Sequence, residues 1–215
     1  GLKEELTKLQ EFITTERLQE TATYKSVGSL YPYYLAYFEI DNKSLLRKHG
    51  ELCCRVMEHW QEKNLISPVN SITKRNAGRK IKIGIVSDHI RYHSVWNAFL
   101  KGVVKNLDPE KFEVHIFSLS NKFDDETDLA KANVTYFNVG KRSLKQWASK
   151  IINSEVDIVF YPEIGMNQQT IQLASMRLAS VQVCSWGHPE TSGLRTIDYY
   201  ISSELLETSN SERFY

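Results

Sequence analysis

From residue 81 onwards, short β-branched runs alternate with segments of helical periodicity, and this alternation constrains the fold more than any other feature. The first run, IKIGIV, precedes a segment whose apolar residues recur every three or four positions, as on one helix face. Such alternation is typical of a parallel sheet covered by helices on both faces. The predicted fold is therefore α/β and Rossmann-like. The predicted strands are residues 81–86, 112–118, 134–139, 156–161, 180–185 and 197–202.

The residues before this region are predicted to form an α-helical segment. Apolar stripes at helical spacing lie within residues 2–13 and 45–60. Between them is an aromatic-rich stretch interrupted by a proline, which we interpret as core packing in preference to a sugar-binding surface. Residues 66–80 are polar, basic and aperiodic, as is typical of a boundary. We therefore predict a helical lead-in over residues 1–78 and a Rossmann-like unit over residues 79–215.

Charge and hydropathy exclude two classes of partner. The 27 Lys plus Arg residues nearly balance the 26 Asp plus Glu residues, so no net field would hold a polyanion. No stretch approaches the roughly 20 apolar residues that span a bilayer, and the first residues lack the apolar core of a signal peptide. We therefore expect a cytoplasmic protein with no nucleic-acid partner and no membrane span.

The cysteines are expected to be reduced thiols. Cys53, Cys54 and Cys184 cannot form the staggered framework of a small secreted domain. Cys53 and Cys54 lie between His49 and His59, which raises the alternative of a metal site. Helical spacing instead places His49 and Cys53 on a packed face, and zinc ligands usually come in turn-spaced pairs. We therefore predict a packed helix here and no metal.

Two common nucleotide-binding motifs are missing from the expected places. The turn after the first predicted strand lacks the G-x-G-x-x-G of dinucleotide-binding proteins, and no G-x-x-x-x-G-K-[ST] occurs. A nicotinamide enzyme and a P-loop NTPase are therefore disfavoured. Because parallel sheets bind ligands at the carboxyl ends of their strands, the candidate site must lie in less generic turns.

The first such turn, SDHIRYHSV, collects titratable side chains after the first predicted strand. It contains Asp88, His89, Arg91 and His93 directly before a helix predicted to begin near Ser94. Free backbone N–H groups and the helix dipole favour an anion at such a position. A histidine there can titrate near neutrality and act as a general base. A solvated loop histidine is the alternative, and this turn alone does not separate the two.

The second turn, WGHPETSG, directly follows the fifth predicted strand. Gly187, Pro189 and Gly193 are typical of a tight turn, and Thr191 and Ser192 supply hydroxyls and backbone donors at the strand's carboxyl end. An ordinary turn would use the same glycines. This segment therefore indicates a site only together with its neighbours.

Five ordered landmarks between residues 81 and 207 carry a family resemblance. They are RxHSV after the first strand, YPEIGM ending the fourth, RLASVQ leading into the fifth, WGHPETSG after it and IDYYISS beyond. Their order and spacing resemble bacterial members of the protein O-GlcNAc transferase (SPINDLY-type) glycosyltransferase family. The helical lead-in is similar to the region that joins a tetratricopeptide array to the catalytic part in this family, although no 34-residue repeat is visible here.

The resemblance implies the N-terminal lobe of a two-lobed GT-B glycosyltransferase. Such an enzyme transfers GlcNAc or another hexose, with inversion and without a metal or cofactor, from a nucleotide-sugar donor to a protein side chain. The implied donor is a UDP-sugar, and the acceptor is Ser, Thr or Asn. The chain stops soon after the sixth predicted strand with no second lobe, so we expect this segment to need the missing C-terminal lobe and to be inactive alone.

The resemblance also assigns roles to residues. His93 is the implied catalytic residue, as base or as orienting group, and residues 187–193 are expected to line the cleft near the transferred sugar and diphosphate. Tyr136 stands where animal members carry a second histidine, and His188 where they carry a tyrosine. The predicted substrate-binding residues are Arg91, Ser94, Glu163, Gly187, His188, Pro189, Thr191, Ser192 and Gly193.

Two alternatives remain open from the sequence. Within enzymes, the donor or the acceptor could differ, because relatives use several sugars. Outside enzymes, the chain could be a non-catalytic α/β binding or scaffold module. The gene beyond Tyr215 discriminates between these classes, since a second set of alternating strands and helices would favour the enzyme.

Overall fold

The structure, a computed structural model, describes residues 2–20, 22–29, 32–38, 40–69, 78–188 and 190–215. Within them, six parallel strands form one sheet in the order β3-β2-β1-β4-β5-β6. The predicted α/β fold with a parallel, Rossmann-like sheet is therefore confirmed. The strands are β1 (Ile81–Ser87), β2 (Phe112–Ser118), β3 (Tyr136–Asn138), β4 (Ile158–Tyr161), β5 (Val181–Ser185) and β6 (Tyr199–Ile201).

Helices precede the sheet and alternate with its strands. The α-helices in the described ranges are α1 (Leu2–Phe12), α2 (Thr15–Glu20), α3 (Lys43–Lys63), α4 (Lys101–Asn106), α5 (Asp125–Ala132), α6 (Leu144–Asn153) and α7 (Gln168–Ala174). A π-helical segment, Trp96–Leu100, leads into α4, and 3-10 turns cover Thr23–Ser26, Tyr33–Tyr37 and Ser211–Phe214. None of the helices in the described ranges is long and apolar enough to cross a membrane.

Each face of the sheet is covered by its own apolar cluster. Because successive side chains of a strand point to opposite faces, Ile85 belongs to one cluster and its neighbour Val86 to the other. Trp96 and Leu100 cover the Ile85 face, while Trp147 of α6 covers the Val86 face. All five side chains are buried. Burial on both faces explains why the consecutive residues Ile85 and Val86 of β1 are both apolar.

The helical lead-in packs on the Val86 face of the sheet. Leu52 and Met57 of α3 belong to the same core cluster as Val86. The amide Nε2 of Gln168, in α7, also donates to the backbone oxygens of Lys25, at 2.6 Å, and Val27, at 3.1 Å. The two predicted segments therefore share one core. The predicted boundary includes residues 70–77, which lie outside the described residues.

The strand order creates a switch point between β1 and β4. From β1 the chain winds outwards through β2 to β3, and it then returns to pair β4 on the other side of β1. In sheets of this kind, the turns that follow the two central strands diverge and leave a crevice for a ligand. The turns after β1 and β4 therefore border the expected ligand crevice.

Candidate functional site

The turns that follow β1, β4 and β5 meet at one edge of the sheet, as predicted. The hydroxyl of Ser87, the last residue of β1, donates to Glu163 Oε2 at 2.9 Å. The backbone N–H of Asp88 donates to Glu163 Oε1 at 3.1 Å. From the turn after β5, the N–H of Gly187 donates to the carbonyl of Pro162 at 3.2 Å. Hydrogen bonds thus join the three turns at the switch point.

Glu163 is a fully buried carboxylate that also contacts a histidine. None of its surface is exposed, and its Oε1 lies 3.2 Å from Nδ1 of His89, which is itself 7% exposed. Because an ionised carboxylate only accepts hydrogen bonds, Nδ1 of His89 carries the proton in this contact. The sequence places His89 in this turn and predicts Glu163 as a substrate-binding residue, but no pattern in it predicts that the two side chains pair.

His93 lies beside this pair. The ring centroids of His89 and His93 are 3.9 Å apart, with the rings tilted by 39°. The backbone N–H of Val95 donates to Nδ1 of His93 at 3.2 Å. In a neutral ring whose Nδ1 accepts a hydrogen bond, the proton resides on Nε2. His93 therefore presents Nε2 as a donor in the geometry observed.

The surroundings of His93 favour its neutral form. Partial burial lowers its pKa, and the neighbouring His89 and Arg91 lower it further, whereas Asp88 opposes them. Each of these shifts follows from the cost of placing a cation in a poorly solvated site or close to another cation. These surroundings therefore lower the pKa of His93 and favour its neutral imidazole.

The helical segment that contains the π turn begins directly after His93. The carbonyl of His93 accepts from the N–H of Asn97 at 2.9 Å, and Ser94 is exposed in the first turn. Arg91 is half-buried, and within the described ranges it forms no ion pair. A π-helical turn follows immediately, a feature that is frequent near functional sites. Arg91, His93 and Ser94 are thus brought together at a helix start.

Residues after β2 anchor the turn that carries His93. Asp124 Oδ2 accepts from the backbone N–H of Tyr92 at 2.7 Å, while the Asp124 side chain also caps α5. The hydroxyl of Thr127 donates to the carbonyl of Ile90 at 2.8 Å. These two anchors were not predicted from the sequence. The available signal was the capping box that Asp124 and Thr127 form, although such a box by itself predicts only a helix start.

The first half of the WGHPETSG segment lies against the turn after β4. A Cβ on Gly187 would overlap the carbonyl oxygen of Pro162 and would lie 2.9 Å from Cβ of Glu163. The Trp186 ring packs on Phe99 of the π turn, with centroids 5.2 Å apart. Gly187 is therefore close to Glu163.

The imidazole of His188 is buried, and the carbonyl of the same residue accepts from the hydroxyl of Tyr200 at 3.0 Å. Pro189, also predicted to bind substrate, lies outside the described residues.

The second half of the segment runs along α3. Thr191 Oγ1 accepts from the N–H of Gly193 at 3.3 Å, and Ser192 Oγ accepts from the N–H of Leu194 at 3.3 Å. The backbone of Gly193 touches that of Leu46 in α3. Across the described residues, no hydrogen bond joins Thr191, Ser192 or Gly193 to the turns of His93 and Glu163. That these three residues line the cleft stays a prediction.

His49 and the two cysteines of α3 lie in a packed part of that helix. Sγ of Cys53 lies 3.7 Å from Nε2 of His49, and Cys53, Cys54 and Cys184 are free and buried. Within the described residues, no group of three or more His, Cys, Asp or Glu side chains could hold a metal ion. Tyr136 lies on β3, two strands from β1, and its ring contacts that of His115.

The model of glycosyl transferase family 41 matches residues 3–214 of the chain. The chain belongs to this family. The family resemblance stated from the five sequence landmarks is thereby confirmed, and the match covers the lead-in as well as the sheet.

Among curated relatives of this family 41 chain are two plant proteins, both named "Probable UDP-N-acetylglucosamine--peptide N-acetylglucosaminyltransferase SPINDLY". The protein from Arabidopsis thaliana is 28% identical over 142 residues, which cover 63% of this chain and 15% of the relative. The protein from Petunia hybrida is 27% identical over 180 residues, which cover 81% of this chain and 19% of the relative. The family 41 chain thus spans less than a fifth of either relative.

A solved structure supports the fold independently. A mutant of the Thermobaculum terrenum O-GlcNAc transferase superposes with a TM-score of 0.65 at 20% sequence identity. The alignment covers 94% of the family 41 chain and 37% of the solved chain. The lead-in and the sheet together therefore resemble part of that larger structure.

Proposed function

We propose that this chain is the N-terminal lobe of a glycosyltransferase that transfers a sugar from a nucleotide-sugar to a protein side chain. The observation that carries the proposal is His93, held at a helix start at the switch point of a family 41 sheet. The names of the two plant relatives support UDP-GlcNAc as the donor and a peptide as the acceptor.

The chemistry follows from the residues at the switch point. The acceptor oxygen or nitrogen attacks the anomeric carbon while the bond from that carbon to the diphosphate oxygen breaks, so the configuration inverts. Because Nε2 of His93 carries the proton, His93 serves as a hydrogen-bond donor that orients a reacting group. The acceptor proton passes to another base, for which an oxygen of the departing diphosphate is available.

The same edge of the sheet supplies positive potential for the departing diphosphate. Arg91 contributes a cation next to His93, and the helix that begins at Ser94 contributes free N–H groups and its dipole. We propose that these groups stabilise the negative charge of the departing diphosphate, so that transfer needs no metal or cofactor.

The direct test is a transfer assay on the longer enzyme that carries this chain. Radiolabelled UDP-GlcNAc is supplied with a protein acceptor, and label in protein is counted for the parent, for His93→Ala and for His59→Ala, a histidine of α3. We expect His93→Ala to lose about 100- to 1,000-fold in turnover, as for the loss of one catalytic hydrogen-bond donor, with an unchanged Tm. The control His59→Ala should transfer like the parent. An active His93→Ala enzyme, or a parent that transfers no sugar, would contradict the proposal.

The isolated segment gives a second test. If the other lobe holds most of the nucleotide, residues 1–215 alone should show no transfer and only weak binding of UDP-GlcNAc. Calorimetry decides this, because micromolar binding, roughly −8 kcal/mol, would mean that this lobe carries most of the donor site.

A further inference from the structure

The carboxylate of Glu163 accepts hydrogen bonds from other groups of the protein. Its carboxylate, with no exposed surface, accepts from the hydroxyl of Ser87, the N–H of Asp88 and Nδ1–H of His89. A buried carboxylate is costly unless it is paired and hydrogen-bonded, and these three donors meet that requirement. All three donors belong to the end of β1 or to the turn after it. The contacts of Glu163 therefore organise that turn.

His89 is fixed through both its ring and its backbone. Its Nδ1 bonds to Glu163, and its backbone N–H donates to Oγ of Ser87 at 2.9 Å. Ser87 Oγ in turn donates to the same carboxylate. With 7% of its surface exposed, His89 has little room to change rotamer. Its position is consequently set by Glu163.

His93 is held between this fixed ring and its own helix. The ring of His89 packs against it at 3.9 Å between centroids, and the N–H of Val95 occupies its Nδ1. The first contact restrains the plane of the ring, while the second restrains the ring's tautomer. Movement of His89 would remove the restraint on the plane and change the electrostatic surroundings of Nδ1 and Nε2.

We infer that Glu163 and His89 form a positioning pair that fixes the orientation of the His93 imidazole. That orientation keeps Nδ1 of His93 on the N–H of Val95, and this hydrogen bond sets the tautomer. Only the effect of this pair on sugar transfer rests on the proposed function. A direct substrate contact by Glu163 is disfavoured, because its carboxylate is buried and already bonded to three donors. The titratable and charged groups that face His93 are His89, Arg91 and Asp88. Arg91 and a protonated His89 disfavour protonation of His93, whereas Asp88 favours it.

The unaltered chain provides the first test. In the 215-residue chain with ¹⁵N-labelled histidines, long-range ¹H–¹⁵N spectra identify which ring nitrogen carries the proton. We expect His93 to be protonated on Nε2 alone and His89 to be protonated on Nδ1. A spectrum in which His89 carries its only proton on Nε2, or His93 its only proton on Nδ1, overturns the inference.

The isosteric variant Glu163→Gln gives the second test. Removing the carboxylate should loosen His89, so the ¹⁵N signals of His93 should shift towards a mixture of tautomers. The matched control is Glu113→Gln, which removes a carboxylate 2.6 Å from Nε2 of His115 in the same sheet. The control should leave the His93 signals where they are. Unchanged His93 signals in folded Glu163→Gln overturn the inference.

A third variant covers the case in which Glu163→Gln does not fold. His89→Phe keeps an aromatic ring against His93 and removes the bond to Glu163, so it should shift the His93 signals in the same direction. In the longer enzyme, Glu163→Gln should lower kcat by about 100-fold with little change in KM, whereas a substrate ligand would raise KM. Since the spectra do not depend on transfer, an enzyme without transferase activity would contradict the proposed function and leave this inference to be decided by the spectra.

Discussion

The backbones of Gly50 and Gly193 lie in direct contact. A Cβ on Gly50 would overlap the carbonyl oxygen of Gly193, and a Cβ on Gly193 would overlap the carbonyl oxygen of Leu46. Gly193 also has a φ of +67°, in the left-handed region that favours glycine. This contact joins α3 of the lead-in to the WGHPETSG segment, so both glycines have a packing role.

Alanine at either glycine should destabilise the chain. In Gly50→Ala, the helix propensity gain of about 1 kcal/mol is outweighed by overlap with a backbone that cannot move aside. We expect each variant to lose about 2 kcal/mol or more in the free energy of unfolding, measured by urea denaturation. The control is Gly102→Ala in α4, where a Cβ meets nothing within 4 Å and stability should hold or rise. A Gly50→Ala chain as stable as its parent would show that the contact is not required.

The substitution His93→Gln tests whether His93 acts as a hydrogen-bond donor or as a base. Gln at position 93 can place an N–H group near the position of Nε2 and cannot accept a proton as a base. If His93 orients a reacting group, His93→Gln should keep clearly more turnover than His93→Ala in the longer enzyme. If His93 is the base, both variants should lose about 100- to 10,000-fold alike. Turnover measured at several pH values for both variants decides between these roles.

Asp124 should matter for activity beyond its role as a helix cap. Asp124 and Ser143 each cap a helix with a capping box, but only Asp124 also holds the N–H of Tyr92 next to His93. Asp124→Ala and Ser143→Ala should therefore lower Tm to a similar degree, because each loses a cap. In the longer enzyme, only Asp124→Ala should lower turnover strongly. Equal activity of the two variants would argue against the anchor.

The free energy of unfolding should fall as the pH drops below about 6.5. Burial lowers the pKa of His49, and burial, His89 and Arg91 lower the pKa of His93. Because both folded pKa values lie below the unfolded value, acidification protonates the unfolded chain first and draws the equilibrium towards it. The urea midpoint should decrease between about pH 7.5 and about pH 5.5, a window above the titration of ordinary carboxyl groups.

The matched variant for this pH effect is His49→Leu, which should show a smaller decrease. A midpoint that rises on acidification, or one that falls equally in the variant, would contradict the assignment to His49.

The three cysteines should resist alkylation until the chain unfolds. Burial raises the pKa of Cys53 and of Cys184 to about 12, and burial also raises that of Cys54. Because the thiolate is the reactive form, iodoacetamide at about pH 8 should label none of them in the folded chain and all three in urea. Mass spectrometry counts the labels, and rapid labelling of Cys53 in the folded chain would indicate that α3 is not packed as observed.

The spacing of apolar residues along the sequence determined the strands and helices of this protein. The β-branched runs and helical stripes gave the six strands and their helices, because a side chain's burial follows from the period at which apolar residues recur. The turns of His93 and Gly187 could be placed at one sheet edge from the same pattern, since the carboxyl ends of parallel strands lie together. The family landmarks then pointed to a glycosyltransferase.

Tertiary structure alone decided the partners within the site. Glu163 meets His89 across 74 residues of sequence because β4 pairs with β1, and the strand order is not encoded in any local period. The contact of Gly193 with α3 likewise depends on where the lead-in docks on the sheet. The tautomer of His93 was also undetermined by sequence, since it depends on which backbone N–H points at Nδ1. These features arise from long-range packing, in which each contact becomes possible only after the whole sheet has brought distant segments together.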